Sequence, residues 1–256
     1  MKNNPLLTRQ DKTRIKAFHV SIGWLLVASW IGSAHGFVIS HTGSADPTTE
    51  GFTLDGRGCC TTLESLPNDM GHAAWSVAGI AQNSQALYFS GPLSTAQRTD
   101  ISSQGFVLTA NIRVLQGAAP VYNPVSPFVT ISAQLDTGFR RFDMHFGVEA
   151  NGDTVVVLPT SFDLSGGTVA QAFGPNFTLT GLGSSYHNYR LAFDPLTQSA
   201  NLSVDGVERL QNYAGNTSYL ENVGVRWGAS GGGQGNFTSV QPVSYTHLTL
   251  PTSDLV

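Results

Sequence analysis

Arg141, Asp143 and His145 occupy every second position of one run, with Phe142, Met144 and Phe146 between and after them. In an extended chain successive side chains point to opposite faces, so a cation, a carboxylate and an imidazole share one side while three apolar groups share the other. Two upstream runs alternate in the same way. Val129, Ile131, Ala133 and Leu135 oppose Thr130, Ser132, Gln134 and Asp136; Phe106, Leu108, Ala110, Ile112 and Val114 oppose Thr109, Asn111 and Arg113. If the three runs lie side by side in one sheet, Asn111, Arg113, Gln134, Arg141, Asp143 and His145 form a single polar face, which is the candidate ligand-binding surface. Guanidinium and carboxamide groups hydrogen-bond adjacent hydroxyls and carboxylates, a chemistry that suits sugars. Arg141 and Asp143 equally fit an ordinary solvated sheet face, where opposite charges contribute only about 0.2–1 kcal/mol. His145, alternating with Met144 and Phe146, also fits a half-buried sheet residue.

Short strands must position these groups. Apolar alternation marks residues 73–79, 85–90, 105–115, 128–135, 139–148, 153–158, 187–193, 199–204, 207–212 and 223–228, and no window shows helical periodicity. Asn151-Gly152 and Asp205-Gly206 predict two-residue hairpin turns, because both central positions of such turns take positive φ. Asp194-Pro195 predicts another turn. Strands at this spacing, without helices between them, predict an all-β fold: a two-sheet antiparallel sandwich. Residues 228–240 predict a glycine-rich rim loop and a closing strand beside the N-terminal strand. That glycine run lacks the Lys-Ser/Thr of a phosphate-binding loop.

Residues 186–212 carry the most specific pattern, an antiparallel meander containing His187, Tyr189, Leu191, Asp194-Pro195, Thr197, Ala200, Leu202, Val204 and Asp205-Gly206. This run resembles the strand–turn–strand signature of concanavalin A-like lectin/glucanase and laminin G-like domains. Residues 137–153 are similar to paired strands of laminin G-like and sialidase-associated lectin modules. The resemblance implies a concanavalin A-like jelly roll over residues 37–242 that binds a polysaccharide or glycan, with exposed aromatics such as Trp75, Tyr88 or Tyr186 near the polar face. Several such families hold a structural calcium ion, which needs six to eight oxygens. Asp46 and Asp194 are the candidate donors, but every Asp and Asn involved also sits where a turn demands it. No contiguous calcium loop is present, so the metal ligands stay unassigned. Glucanases of this fold carry Glu-x-Asp-x-x-Glu, which this chain lacks. Glu149 and Asp143, six residues apart in one strand, lie roughly 20 Å apart at the usual rise, too far for a retaining pair at about 5–5.5 Å. Arg141, Gln134, His145 and Tyr186 only loosely echo the groove of alginate lyases. The expectation is a lectin-like module without its own catalysis. The alternatives are a polysaccharide-degrading glycosidase or lyase on the same fold, and a purely structural adhesion domain.

The termini read differently from the rest. Lys2, Arg9, Lys12, Arg14 and Lys16 precede an apolar stretch from Ala17 to Ile31 and then Ala34-His35-Gly36, the pattern of a signal peptide over residues 1–36. Its roughly 15 apolar residues fall short of the roughly 20 that span a bilayer, so a secreted or cell-surface protein without a membrane span is expected. Residues 243–252, Val-Ser-Tyr-Thr-His-Leu-Thr-Leu-Pro-Thr, resemble the translated read-through of a sequencing-library adapter, and the resemblance implies that 243–256 are a non-native tail. A formal net charge of −4, with no basic run outside the N-terminus, argues against nucleic acid. Adjacent Cys59 and Cys60 would face opposite sides of a strand and bridge only under strain. Zinc spacing is absent.

Overall fold

Tyr189 to Val204 and Val207 to Tyr213 show how local chemistry folds the chain. Asp205 (φ 52°) and Gly206 (φ 78°) both adopt positive φ, as a two-residue hairpin turn requires. The turn sets Val204 opposite Val207 and Ser203 opposite Glu208. The other expected hairpin closes differently: at Asn151-Gly152 only Gly152 (φ 90°) is left-handed. Five residues, 149–153, therefore connect the strands, with Gly152 N donating to Glu149 O at 2.9 Å.

The computed structural model describes residues 39–57, 61–81, 84–117, 128–134, 140–163, 170–216 and 224–244. The expected signal peptide (1–36), Cys59, Cys60 and the chain beyond residue 244 lie outside these. In chain order the strands are β1 (His41–Thr42), β2 (Thr53–Arg57), β3 (Thr61–Asp69), β4 (His72–Gly79), β5 (Gln85–Phe89), β6 (Phe106–Gln116), β7 (Phe128–Gln134) and β8 (Arg141–Val148). They continue with β9 (Thr154–Asp163), β10 (Ala170–Thr178), β11 (His187–Asp194), β12 (Ser199–Val204), β13 (Val207–Tyr213), β14 (Gly224–Ser230) and β15 (Gln234–Ser244). Sheet A runs β13-β12-β11-β6-β15-β4-β3, with β1 also paired to β15, and sheet B runs β10-β9-β8-β7-β14-β5-β2. The two antiparallel sheets pack as a sandwich. Each expected run falls on a strand, and the closing strand β15 does pair with the N-terminal β1. Val243 and Ser244 continue its register against Val107 and Phe106.

Sequence periodicity misses β2, β3 and β10, and one helix. β3 contains Pro67 and borders only β4, an edge position where a missing donor is tolerated. β10 contains Gly174-Pro175 and shifts register there. Helix α1 (Thr95–Gln104) begins with a capping box in which Ser94 Oγ accepts from Gln97 N and Gln97 Oε1 accepts from Ser94 N. Among its residues only Ile101 is buried, so no apolar stripe exists for periodicity to detect. Among the described residues no helix is long and apolar enough to cross a membrane.

The core lies between the sheets. Phe142, Met144 and Phe146 of sheet B meet Phe106, Tyr189 and Phe193 of sheet A, all at most 2% exposed. At the other end Trp227 packs against His41, Phe52, Tyr88 and Phe237. Trp75 and Tyr88 belong to this core, the indole N–H donating to the Tyr88 hydroxyl at 2.9 Å. They are not the exposed aromatics expected from the resemblance.

Candidate functional site

The pleat places the expected polar residues on the expected sides of their strands, but not on one sheet. β6 lies in sheet A between β11 and β15, whereas β7 and β8 lie in sheet B. Asn111 and Arg113 are therefore on the opposite side of the sandwich from Gln134, Arg141, Asp143 and His145. Period-two alternation fixes which face a residue occupies and leaves open which sheet its strand joins.

On sheet B the outer face is built rung by rung. Gln134 pairs with Arg141, Ser132 with Asp143 and Thr130 with His145 across β7 and β8. On the far side of β7, Arg226 of β14 pairs with Ser132, so Arg226, Ser132 and Asp143 share one rung. Arg226 went unnoticed in the sequence, although it alternates with Val225 and Trp227 as Asp143 does with its neighbours. Gly224 and Gly228 stand on either side of it. A Cβ at Gly228 would lie 2.1 Å from the Ala86 carbonyl oxygen, so the β14 and β5 backbones approach more closely than a side chain permits. The Arg226 guanidinium sits over the Phe89 ring at 5.2 Å.

This face is buried, contrary to the expected solvated surface: Ser132 is 3% exposed, Gln134 5%, Asp143 0% and His145 2%. Arg141 and Arg226 are half-buried, as are Asp55, Leu87 and Phe89 toward the β2 edge, where Thr53 is exposed. The Arg141 Nε donates to Asp143 Oδ1 at 2.5 Å. Asp143 Oδ2 and Thr130 Oγ1 are buried without a hydrogen-bond partner among the described residues. Burial raises the Asp143 pKa, against the opposing pull of Arg141 and Arg226. Burial, together with the nearby Arg141 charge, lowers that of His145 from 6.5 to about 3.

His145 therefore stays neutral in the folded protein over a range where the unfolded chain binds a proton. Because its folded pKa is the lower one, protons favour unfolding. Its contribution is intact above about pH 6.5 and is lost toward about pH 3, by at most about tenfold in the folding equilibrium per pH unit. Urea midpoints measured across that window should decline as the pH falls, and less steeply for His145→Gln. Identical slopes would contradict this assignment.

Asn111 and Arg113, on sheet A, join a different network. Arg113 donates to Asp69 Oδ1 at 2.6 Å and to the Ser184 carbonyl at 2.7 Å. Tyr186 OH and Asn236 Nδ2 donate to Asp69 Oδ2 at 2.8 and 2.6 Å. Burial alone would raise the Asp69 pKa, but the hydrogen bonds from Asn236 and Tyr186 and the Arg113 charge outweigh it and hold the group below the usual carboxylate range. Tyr186 is half-buried, with exposed His72 edge-on to its ring at 5.0 Å. These side-chain bonds of Asp69 and Arg113 tie residues 184–186 to the sheet.

The candidate calcium donors serve turns. Asp46 caps a short 3-10 helix by accepting from Thr48 N at 2.9 Å, and Asp194 accepts from Leu196 N at 2.8 Å. Asp153 accepts from Gly181 and Gly183 backbone N–H groups, which lower its pKa. Among the described residues no group of three or more His, Cys, Asp or Glu could hold a metal ion. Residues 228–232 spell Gly-x-Ser-x-Gly. That run leads from β14 through Gly231 (φ 64°) and Gly232 (φ 102°) into β15, whereas a nucleophile elbow leads into a helix.

No family model matches the sequence, and no curated protein matches it. Among solved structures, the chain is similar to an endo-β-1,4-glucuronan lyase from the fungus Trichoderma reesei, at 9% identity over 81% of this chain and 95% of that one, with a TM-score of 0.47. A GH43 glycoside hydrolase is similar at 10% identity over 80% of this chain and 40% of that one, with a TM-score of 0.46. The winged bean acidic lectin in complex with methyl-α-D-galactose is similar at 10% identity over 82% and 98%, with a TM-score of 0.35. At these levels of overlap the likenesses carry no argument about activity, and the antiparallel β-sandwich is read from the chain's own two sheets.

Proposed function

We propose that the chain is a secreted or cell-surface carbohydrate-binding sandwich of the concanavalin A-like kind, and that the outer face of sheet B takes the glycan. The supporting observation is the polar set of buried Gln134, Asp143 and His145 with half-buried Arg141 and Arg226. Burying such groups costs stability unless each is fully satisfied, so a sheet that needed only to cover a core would carry apolar residues there. Guanidinium, carboxamide, carboxylate and neutral imidazole groups on adjacent rungs offer the donors and acceptors that sugar hydroxyls require. The half-buried Leu87, Phe89 and Arg226 give the face its more open side. Glycan-array binding by the wild-type protein and by Arg141→Ala, with near-UV circular dichroism as the control for folding, tests this reading. Strong binding that the variant loses supports it, and equal binding by both removes the proposed surface.

A lyase on the same face is the second reading, favoured by one observation: Arg141, Asp143 and His145 stand together on one side of the same strand. A guanidinium can balance developing negative charge, whereas His145, held neutral down to about pH 3, can hydrogen-bond a substrate but is a weak proton acceptor. A glycosidase with two carboxylates fits less well. Asp55 lies four strands from Asp143, about 19 Å along the sheet at the usual strand spacing, against the about 5–9.5 Å that such pairs need. An unsaturated product released from a bound polysaccharide would favour the lyase, and unaltered polysaccharide would favour simple binding.

A further inference from the structure

At one end of the sandwich, three polar atoms point into the apolar interior. His187 and Tyr189 stand on the inner side of β11, opposite Ile112 and Ala110 of β6. Thr154 stands on the inner side of β9, two residues before Val156, and pairs with Val148. Ring contacts align the sheets across the core: Phe142 meets Phe193 at 5.2 Å and Phe146 meets Tyr189 at 4.7 Å. One rung further along, Val148 and its partner Thr154 come level with His187. The three residues are 5% exposed or less. His187 Nε2, Tyr189 OH and Thr154 Oγ1 have no hydrogen-bond partner among the described residues.

The other imidazole nitrogen is engaged. His187 Nδ1 lies 2.7 Å from Asp205 Oδ2, in the hairpin turn, and Asp205 Oδ1 accepts from Asn188 N at 2.8 Å. With the carboxylate accepting from Nδ1–H, the neutral form of the ring has Nε2 as an acceptor facing inward. We propose that His187 Nε2, Tyr189 OH and Thr154 Oγ1 bind an internal water molecule that is part of the folded structure. A water donates to Nε2 and to one hydroxyl oxygen and accepts from the other hydroxyl, which gives it the two to four polar partners that buried waters have. The same water satisfies three groups whose isolation in the core would be costly. It also links the β8–β9 end of sheet B to the Asp205-Gly206 hairpin of sheet A through the His187–Asp205 pair.

Two measurements test this. A high-resolution crystal structure should show an ordered water within about 3.2 Å of His187 Nε2 and of at least one of the two hydroxyls. Absence of such a water, or a direct bond between two of the three groups, would overturn the proposal. In urea unfolding, Tyr189→Phe removes one of the water's partners and should raise the unfolding equilibrium constant about tenfold. In a dry site the same change deletes an unpartnered hydroxyl, so an unchanged or lower constant would count against the water. Should the variant fail to fold, the crystal structure still decides.

Discussion

Asp143→Ala is expected to lower stability by about 3–5 kcal/mol, while the double variant Arg141→Met/Asp143→Leu is expected to leave it unchanged or raise it by about 1–4 kcal/mol. The single change removes the carboxylate that the Arg141 Nε bonds at 2.5 Å, beside a guanidinium whose side chain is only 13% exposed. The same carboxylate balances Arg226 across Ser132. The double change deletes the pair and puts apolar groups in a largely buried place, so the cost of desolvating two charges disappears. Urea unfolding midpoints of the three proteins measure both effects. Equal destabilisation by the single and double variants would mean that the pair is structural cement, and the argument that this face is kept polar for binding would fail.

The second large effect is expected two strands away and on the opposite side of the same sheet. Trp227→Ala should lower stability by about 3–5 kcal/mol, as truncations of fully buried aromatics do. The indole is 0% exposed. Its ring lies 4.9 Å from His41, 4.8 Å from Tyr88 and 4.7 Å from Phe237, centroid to centroid, so the N-terminal strand, β5 and β15 all lose contacts together. Leu196, 93% exposed in the turn between β11 and β12, is the matched control, and Leu196→Ala should change stability by about 0.5 kcal/mol or less. A small effect at Trp227 would mean that the core closes over the gap, and the packing described here would be wrong at that end.

How far the fold could be read from sequence depended on burial on one side only. Strands such as β6, with Phe106, Leu108, Ala110, Ile112 and Val114 inside and polar residues between, declare themselves by period two. The helix Thr95–Gln104 did not, because it buries only Ile101; its capping box, Ser94 with Gln97, was the readable signal. β3 and β10 carry Pro67 and Gly174-Pro175, residues that argue against a strand except at the edges and irregularities where they stand.

The candidate site was legible in sidedness and illegible in assembly. That Arg141, Asp143 and His145 point away from Phe142, Met144 and Phe146 follows from the pleat. That Asn111 and Arg113 belong to the other sheet follows from the order of strands, which alternation does not encode. Nor does a polar residue in a strand reveal whether water reaches it: Asp69 and Asp143 look alike in sequence, yet three donors hold the first below the usual carboxylate pKa and burial raises the second. Arg226 could have been found by extending the alternation test to Val225 and Trp227.

The most direct test of the central claim, that sheet B keeps a buried polar face in order to bind carbohydrate, is calorimetric titration of wild-type protein and Arg141→Met/Asp143→Leu with the same array-selected glycan, alongside unfolding of the same preparations. The double variant is expected to be at least as stable as wild type and to bind the glycan no longer. A stable double variant that binds the glycan as tightly as wild type would contradict the claim.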